Sequence, residues 1–194
     1  MKGLIREEIW IKIEKKKEMQ EDLINNINMD DYKVFSIGIK NWEDSLCGIK
    51  ISESDEWILI ENLIDYSIDG LGIINKKYIK FIDRTEREIL TEDVLKANHR
   101  LKKREISIPL ESNSMIEYLY KNKVIFQISL KDNSYVFIGM IEKILKKSFY
   151  IKRINAKGIW MDSSMLFRIE HIRSLEFNTD YIDALLVYNK TLVK

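Results

Sequence analysis

Residues able to do acid–base, nucleophilic or metal chemistry are few in this chain and far apart. There are two histidines, His99 and His171, and one cysteine, Cys47. None has a second ligand type at the short spacing that a metal site on a helix or turn uses. Solvated or structural histidines are expected, and a single thiol forms no intrachain disulfide and reads as a small buried hydrophobe. Asp162-Ser163-Ser164 sets hydroxyls beside a carboxylate, but these residue types between apolar runs are what a turn requires. Asp65 and Asp69 would serve as an acid and base pair only in a cleft that drove their pKa values apart, and on a turn they solvate a loop. No phosphate loop, Gly-x-Gly-x-x-Gly, Cys-x-x-Cys or His-x-x-x-His occurs. No catalytic, cofactor-binding or metal-binding residue is assigned, no cofactor is called for, and an enzyme is not expected.

Cationic chemistry is the better clue. Arg100, Lys102, Lys103 and Arg104 form a dense basic segment. Lys146, Lys147, Lys152 and Arg153 cluster around an expected hairpin that carries Phe149 and Tyr150. Phosphates neutralised by such side chains, with bases stacked on aromatic rings, make a single-strand nucleic-acid contact. Lysines at hairpin tips and linkers also keep strand edges soluble. Residues 1–97 hold 15 Lys+Arg against 21 Asp+Glu, and residues 98–194 hold 17 against 10, so the halves carry −6 and +7. Opposite halves can attract each other, a second copy, or an acidic partner. Of the four tryptophans, Trp57 and Trp160 fit strand cores, and Trp10 and Trp42 are candidates for an exposed contact.

The elements that must position these residues are short. A hydrophobic fraction of 45% with 32% charged residues suits a chain that buries a core. No apolar run approaches the roughly 20 residues of a membrane span. The opening Met1-Lys2-Gly3-Leu4-Ile5-Arg6-Glu7-Glu8 reaches charge too early for a signal sequence, so a cytoplasmic location is expected. Pro109, the single proline, follows the charged run at 96–105 and marks a boundary. Two units are expected, 1–95 and 112–194, with a basic linker at 96–111.

Ile9, Ile13, Met19, Leu23 and Ile27 suit one helix face, although 8–13 also reads as a strand. Five strand-like runs follow, at 34–39, 46–51, 57–63, 71–74 and 78–82, with turns at 41–44, 52–55, 65–70 and 75–77. The second half repeats the order. A short helix at 114–120, capped by Asn113 or Ser112, precedes strands at 124–130, 135–145, 149–154, 159–169 (broken near 162–164) and 172–177. Gly48 and Gly139 fall inside the second strand of each set, Gly70 and Gly158 come before the fourth, and Ile79-Lys80-Phe81-Ile82 matches Ile172-Arg173-Ser174-Leu175. A glycine inside a strand marks a sharp bend or a close approach of another backbone. Bent second strands let short antiparallel hairpins curl and bury one face. Residues 179–188, with Asn178 or Thr179 as N-cap, read as a closing helix, with β structure as the alternative.

This pattern of a helix and five bent strands with a glycine in the second resembles the Sm-like family of small SH3-type barrels. Trp57-Ile58-Leu59-Ile60, Asp69-Gly70, Tyr78-Ile79 and the ending Ile172 to Phe177 with Asp180-Tyr181 are similar, more narrowly, to a group of bacterial proteins with tandem barrels. The resemblance covers about residues 33–83 and 113–177. It implies a mainly β fold with short helices, built as two consecutive five-stranded Sm-like barrels. It also implies ring assembly and single-stranded RNA binding through an Ile-Arg-Gly element, whose nearest match is Ile172-Arg173-Ser174, with Ile79-Lys80-Phe81 in the first half. The expected role is a non-catalytic binding module for a protein partner or for further copies of itself. RNA or single-stranded nucleic acid bound by the basic second barrel is the alternative, and no membrane partner is expected.

Overall fold

Short runs of β-branched and aromatic residues between polar turns make strands, and here they make ten. The computed structural model describes residues 32–101 and 106–192. The first set is β1 (Val34–Ile39), β2 (Ser45–Glu53), β3 (Trp57–Ile64), β4 (Ser67–Asn75) and, after a 3-10 turn at Lys76–Tyr78, β5 (Ile79–Asp83). Helices α1 (Glu86–Ala97) and α2 (Ser112–Lys121) follow. The second set is β6 (Ile125–Ser129), β7 (Val136–Ile144), β8 (Ser148–Ile154), β9 (Trp160–Arg168) and, after a 3-10 turn at Ile169–His171, β10 (Ser174–Phe177). Helix α3 (Asp180–Leu192) closes the chain. The helical or strand pattern expected within 8–27 lies outside the described residues.

The mainly β class with short helices holds. Two separate barrels are not what the hydrogen bonding draws, because the strands form one open ten-stranded sheet in the order β5-β1-β2-β3-β4-β10-β6-β7-β8-β9. Every neighbouring pair is antiparallel. The reason is β10, which pairs with β6 on one side and on the other lends its second row of backbone groups to β4. A strand edge that would otherwise stay unpaired is satisfied within the chain.

The two sets follow one register. Gly48 lies opposite Phe35 and Asn62, and Gly139 lies opposite Phe126 and Arg153. A register shift follows each glycine, between Lys50 and Ser52 and between Ile141 and Lys143, and a second follows between Glu61 and Leu63 and between Lys152 and Ile154. A Cβ on Gly48 would lie 2.5 Å from the Glu61 carbonyl oxygen, and one on Gly139 would collide with the Lys152 carbonyl. Each second strand therefore presses its backbone against the third, which is what admits only glycine there.

Several local expectations change. The turn placed at 65–70 is only Asp65-Tyr66, with Asp65 at φ 53°, and β4 already runs through Asp69-Gly70. Asp162-Ser163-Ser164 makes no turn, since β9 is continuous and Ser164 pairs with Lys152 while its hydroxyl donates to Glu142. Helix α2 starts two residues earlier than expected, with Glu111 at its cap and no capping side chain, while the Ser112 N–H is taken by Glu56 Oε2 at 2.8 Å. The closing helix, by contrast, is present as expected, over 180–192 and without the alternative strand, with Thr179 Oγ1 accepting from Ile182 N.

Helix α1 answers to no expected element. Thr85 and Glu88 make a reciprocal capping box at its start, with Thr85 N donating to Glu88 Oε2 at 2.8 Å. On its inner side Glu92, buried, accepts Val34 N at 2.8 Å and a two-pronged bond from Arg84. Burial alone would raise the Glu92 pKa, but Arg84 and the Val34 N–H outweigh it and hold the carboxyl below its ordinary value. The helix is thereby tied to β1. Beyond it, Ile108 and Leu110 are buried, so the stretch before α2 is anchored, and residues 33–194 form one compact unit.

The apolar interior is divided unevenly. Ile37, Ile39, Ile58, Ile60 and Ile74 pack together on one face of the first five strands. The largest core draws on both sets: Trp57, Leu59, Leu71 and Ile73 from β3 and β4 meet Met115, Ile116 and Leu119 of α2 and Phe126, Phe149 and Phe167. This sharing follows from β3, whose residues are buried from Trp57 to Leu63, so both of its faces are covered. Ile182 and Leu185 of α3 pack on Ile138 and Ile154.

Candidate functional site

The eleven cationic and aromatic candidates do not form one surface. Arg100 Nη1 donates to Tyr66 O at 2.8 Å and to Ser67 Oγ at 2.7 Å, so it secures the chain after α1 to the β3–β4 turn. Lys102, Lys103 and Arg104 lie outside the described residues. Phe149 is fully buried, stacked on Phe167 and edge-on to Phe126, and has no open face for a base. Tyr150, Lys152 and Arg153 are half-buried along β8. Arg173 is only 5% exposed: its guanidinium lies over the Tyr78 ring at 4.7 Å, and Nη2 donates to Asn41 Oδ1 at 3.4 Å. Burial lowers its pKa, with Tyr78 working against that, and Nε and Nη1 have no hydrogen-bond partner. Arg173 thus ties the second set to the first. Trp42, expected to be exposed, is half-buried and donates Nε1 to Leu130 O at 3.0 Å across the same junction.

Lys146 and Lys147, at the exposed tip of the β7–β8 hairpin, are the candidates that gain company. They line a groove of about 780 Å³ with Lys76 and Lys77, the first 3-10 turn. Asp55, Glu56 and Glu170 line it too, as do Ser112 and Asn113 at the start of α2. Lys76 and Lys77 were missed because the sequence holds them apart from Lys146, and only the β4–β10 junction brings the turn and the hairpin together.

Asp65 and Asp69, read as loop residues, line a second cavity of about 1060 Å³ walled by β2, β3, β4 and α1. Glu176 of β10 completes it from across the junction. Burial raises the Glu176 pKa, the Ser174 hydroxyl counters this, and Asp69 adds to it. Asn62, 7% exposed and in the same wall, leaves its Oδ1 without a partner. Cys47 is half-buried there, and burial first and Glu88 second push its thiol pKa up, with Arg87 working against them. Among the described residues no group of three His, Cys, Asp or Glu side chains is placed to hold a metal ion, and no helix is long and apolar enough to cross a membrane.

The remaining feature is the pair of outer strands, β5 and β9. Across the internal junction, Leu175 of β10 faces Ile73 of β4 and both are buried. Ile82 stands on β5 as Leu175 stands on β10, since Ile82 pairs with Ile37 and Leu175 with Ile128. Leu166 stands on β9 as Ile73 stands on β4, since Leu166 pairs with Tyr150 and Ile73 with Leu59. Ile82 and Leu166, with no strand beyond them among the described residues, are 46% and 45% exposed. No protein-family model, no curated protein and no solved structure matches the chain.

Proposed function

We propose that this chain is a non-catalytic binding module that associates with further copies of itself, β5 of one copy pairing with β9 of the next. On this reading the two strand sets are repeats of one small barrel-like unit of Sm-like type, divided near residues 96–111. The contact between units is then made once inside the chain, at β4–β10, and again between chains. The single observation behind it is the equivalence of the free and the joined strands: the buried pair Leu175 and Ile73 has its counterpart in Ile82 and Leu166, both left exposed at the outer edges.

Transposing the internal register sets Phe81 opposite Phe167, Ile82 opposite Leu166 and Asp83 opposite Met165. Such a contact is head-to-tail, so it closes into a ring or runs on as a filament according to the rotation per copy. It also brings the −6 half of one copy to the +7 half of the next, which favours association at low salt. Light scattering on a sizing column at about 50 µM is expected to give a multiple of the 23.1 kDa chain mass, shrinking toward one chain for Leu166→Lys. The wild-type chain running as a monomer at low salt ends this reading.

Single-stranded RNA is the second reading, favoured by the meeting of Lys76, Lys77, Lys146 and Lys147 on one groove. Anisotropy of a labelled single-stranded oligonucleotide should then rise with protein at low salt and fall with added salt, and the K146E/K147E double variant should lose about tenfold or more in affinity. A flat titration at low salt rejects it.

A further inference from the structure

We infer that Asp83 of one copy and Arg153 of the next form an ion pair that selects the β5–β9 partner, an inference that rests on the self-association reading. The internal junction supplies the template. Glu176 of β10 lies opposite Gly72 of β4, Gly72 lies opposite Ile60 of β3, and Asn62 stands two residues beyond Ile60. Glu176 and Asn62 reach the same cavity across the intervening strand. The positions are on one face, two strand spacings across the sheet and two residues along it, about 12 Å apart at the backbone.

The same positions recur at the outer edges, with Met165 standing where the first set has Gly72, the residue over which Asn62 Oδ1 lies. Met165 of β9 lies opposite Ile151 of β8, and Arg153 stands two residues beyond Ile151, where the first set has Asn62. Asp83 of β5 lies opposite Ser36 of β1 as Glu176 lies opposite Gln127 of β6, so Asp83 stands where the second set has Glu176. Inside the chain a carboxyl and a neutral amide line one cavity without bonding to each other, Glu176 accepting from the Ser174 hydroxyl and Asn62 Oδ1 having no partner. The junction between copies joins a carboxylate to a guanidinium.

The state of the two side chains fits this. Asp83 is exposed on an outer strand, where its backbone pairs with Ser36, and its side chain has no hydrogen-bond or ion-pair partner among the described residues. Arg153 is half-buried, its Nε is closed off without a partner, and it lines a recess of about 300 Å³ between β7, β8, β9 and α3. A guanidinium partly withdrawn from water with an unsatisfied N–H is costly unless a carboxylate arrives, and Arg153 has none among the described residues. The alternative internal pairing, β4 with another copy's β5, is blocked because β10 already occupies that edge. The charged pair therefore distinguishes the outer junction from the inner one and disfavours β5–β5 or β9–β9 contacts, which would set like charges together.

A charge-reversal cycle tests it, read by sedimentation of the full chain at low salt. Asp83→Arg and Arg153→Asp are each expected to weaken association about tenfold or more, and an equimolar mixture of the two, or the D83R/R153D double variant, to recover to within about threefold of wild type. Circular dichroism and thermal unfolding of each variant separate a lost contact from a lost fold, and the milder Asp83→Asn and Arg153→Gln should fall between. Singles that weaken association without recovery in the double variant, or that leave it unchanged, overturn the ion pair while leaving the edge contact standing. A wild-type chain that stays monomeric overturns both.

Discussion

Trp57→Ala is expected to cost about 3–5 kcal/mol of unfolding free energy, a large part of the 5–15 kcal/mol that a domain of this size commonly has. The indole is buried in the core to which both strand sets contribute, so its removal leaves a void between β3, β4 and α2 that neighbours on two sides would have to refill. It also deletes the 3.0 Å hydrogen bond from Nε1 to Ser112 Oγ, which joins β3 to the first turn of α2. Trp57→Phe separates the two effects. It keeps most of the apolar volume and loses the hydrogen bond, and should cost about 1–2 kcal/mol. Urea denaturation followed by circular dichroism checks both numbers. Because the core is shared, wild type should unfold in one transition, and a biphasic curve, or a loss under about 1 kcal/mol for Trp57→Ala, would contradict the shared core.

Gly139→Val is the second large effect, about 3 kcal/mol or more, with Gly48→Val close behind. Overpacked cores usually yield by about 1–3 kcal/mol because side chains move aside. Here the obstacle is a carbonyl of the adjacent strand, Lys152 for Gly139 and Glu61 for Gly48, and moving it breaks the β7–β8 or β2–β3 ladder. Denaturant midpoints and amide exchange of those strands measure this. The exchange pattern is the sharper readout, since protection should fall along β7 and β8 first in the Gly139 variant and along β2 and β3 in the Gly48 variant. Equal loss of protection over the whole sheet from either variant would show that the local clash is not the cause.

Much of the strand layout was legible because period-two alternation and turn residues act over a few positions. The runs beginning at Val34, Trp57, Val124 and Phe149 became β1, β3, β6 and β8 with ends displaced by a residue or two. Helix α1 was legible and missed. Thr85 and Glu88 stand at capping-box spacing, but the buried side joins Leu95 to Glu88, Thr91 and Glu92 while Ile89 and Leu90 are exposed, so an apolar stripe was the wrong thing to seek. The serine pair at 163–164 misled for the opposite reason: polar residues on an outer strand face water while their backbone still pairs, so they imitate a turn.

The candidate site fared less well, and for a physical reason. Positive charge is visible in a sequence, but its exposure is not. Arg173 and Lys147 look alike as letters, yet one is sealed against Tyr78 and Asn41 and the other stands at a hairpin tip. Phe149 looked like a stacking ring and is a core ring.

What the sequence determined by itself was the strand material: the apolar alternation, the glycines Gly48 and Gly139 within strands, the turn residues between them, and the charge difference between halves. These are local or additive properties, and they survive in any conformation. The tertiary structure alone decided that β10 joins β4, that the largest core is shared across that junction, and that β5 and β9 are the outer strands of the described sheet. Backbone hydrogen bonds between strands carry no side-chain signature, so their pairing is chosen only when the whole set of buried faces is matched at once.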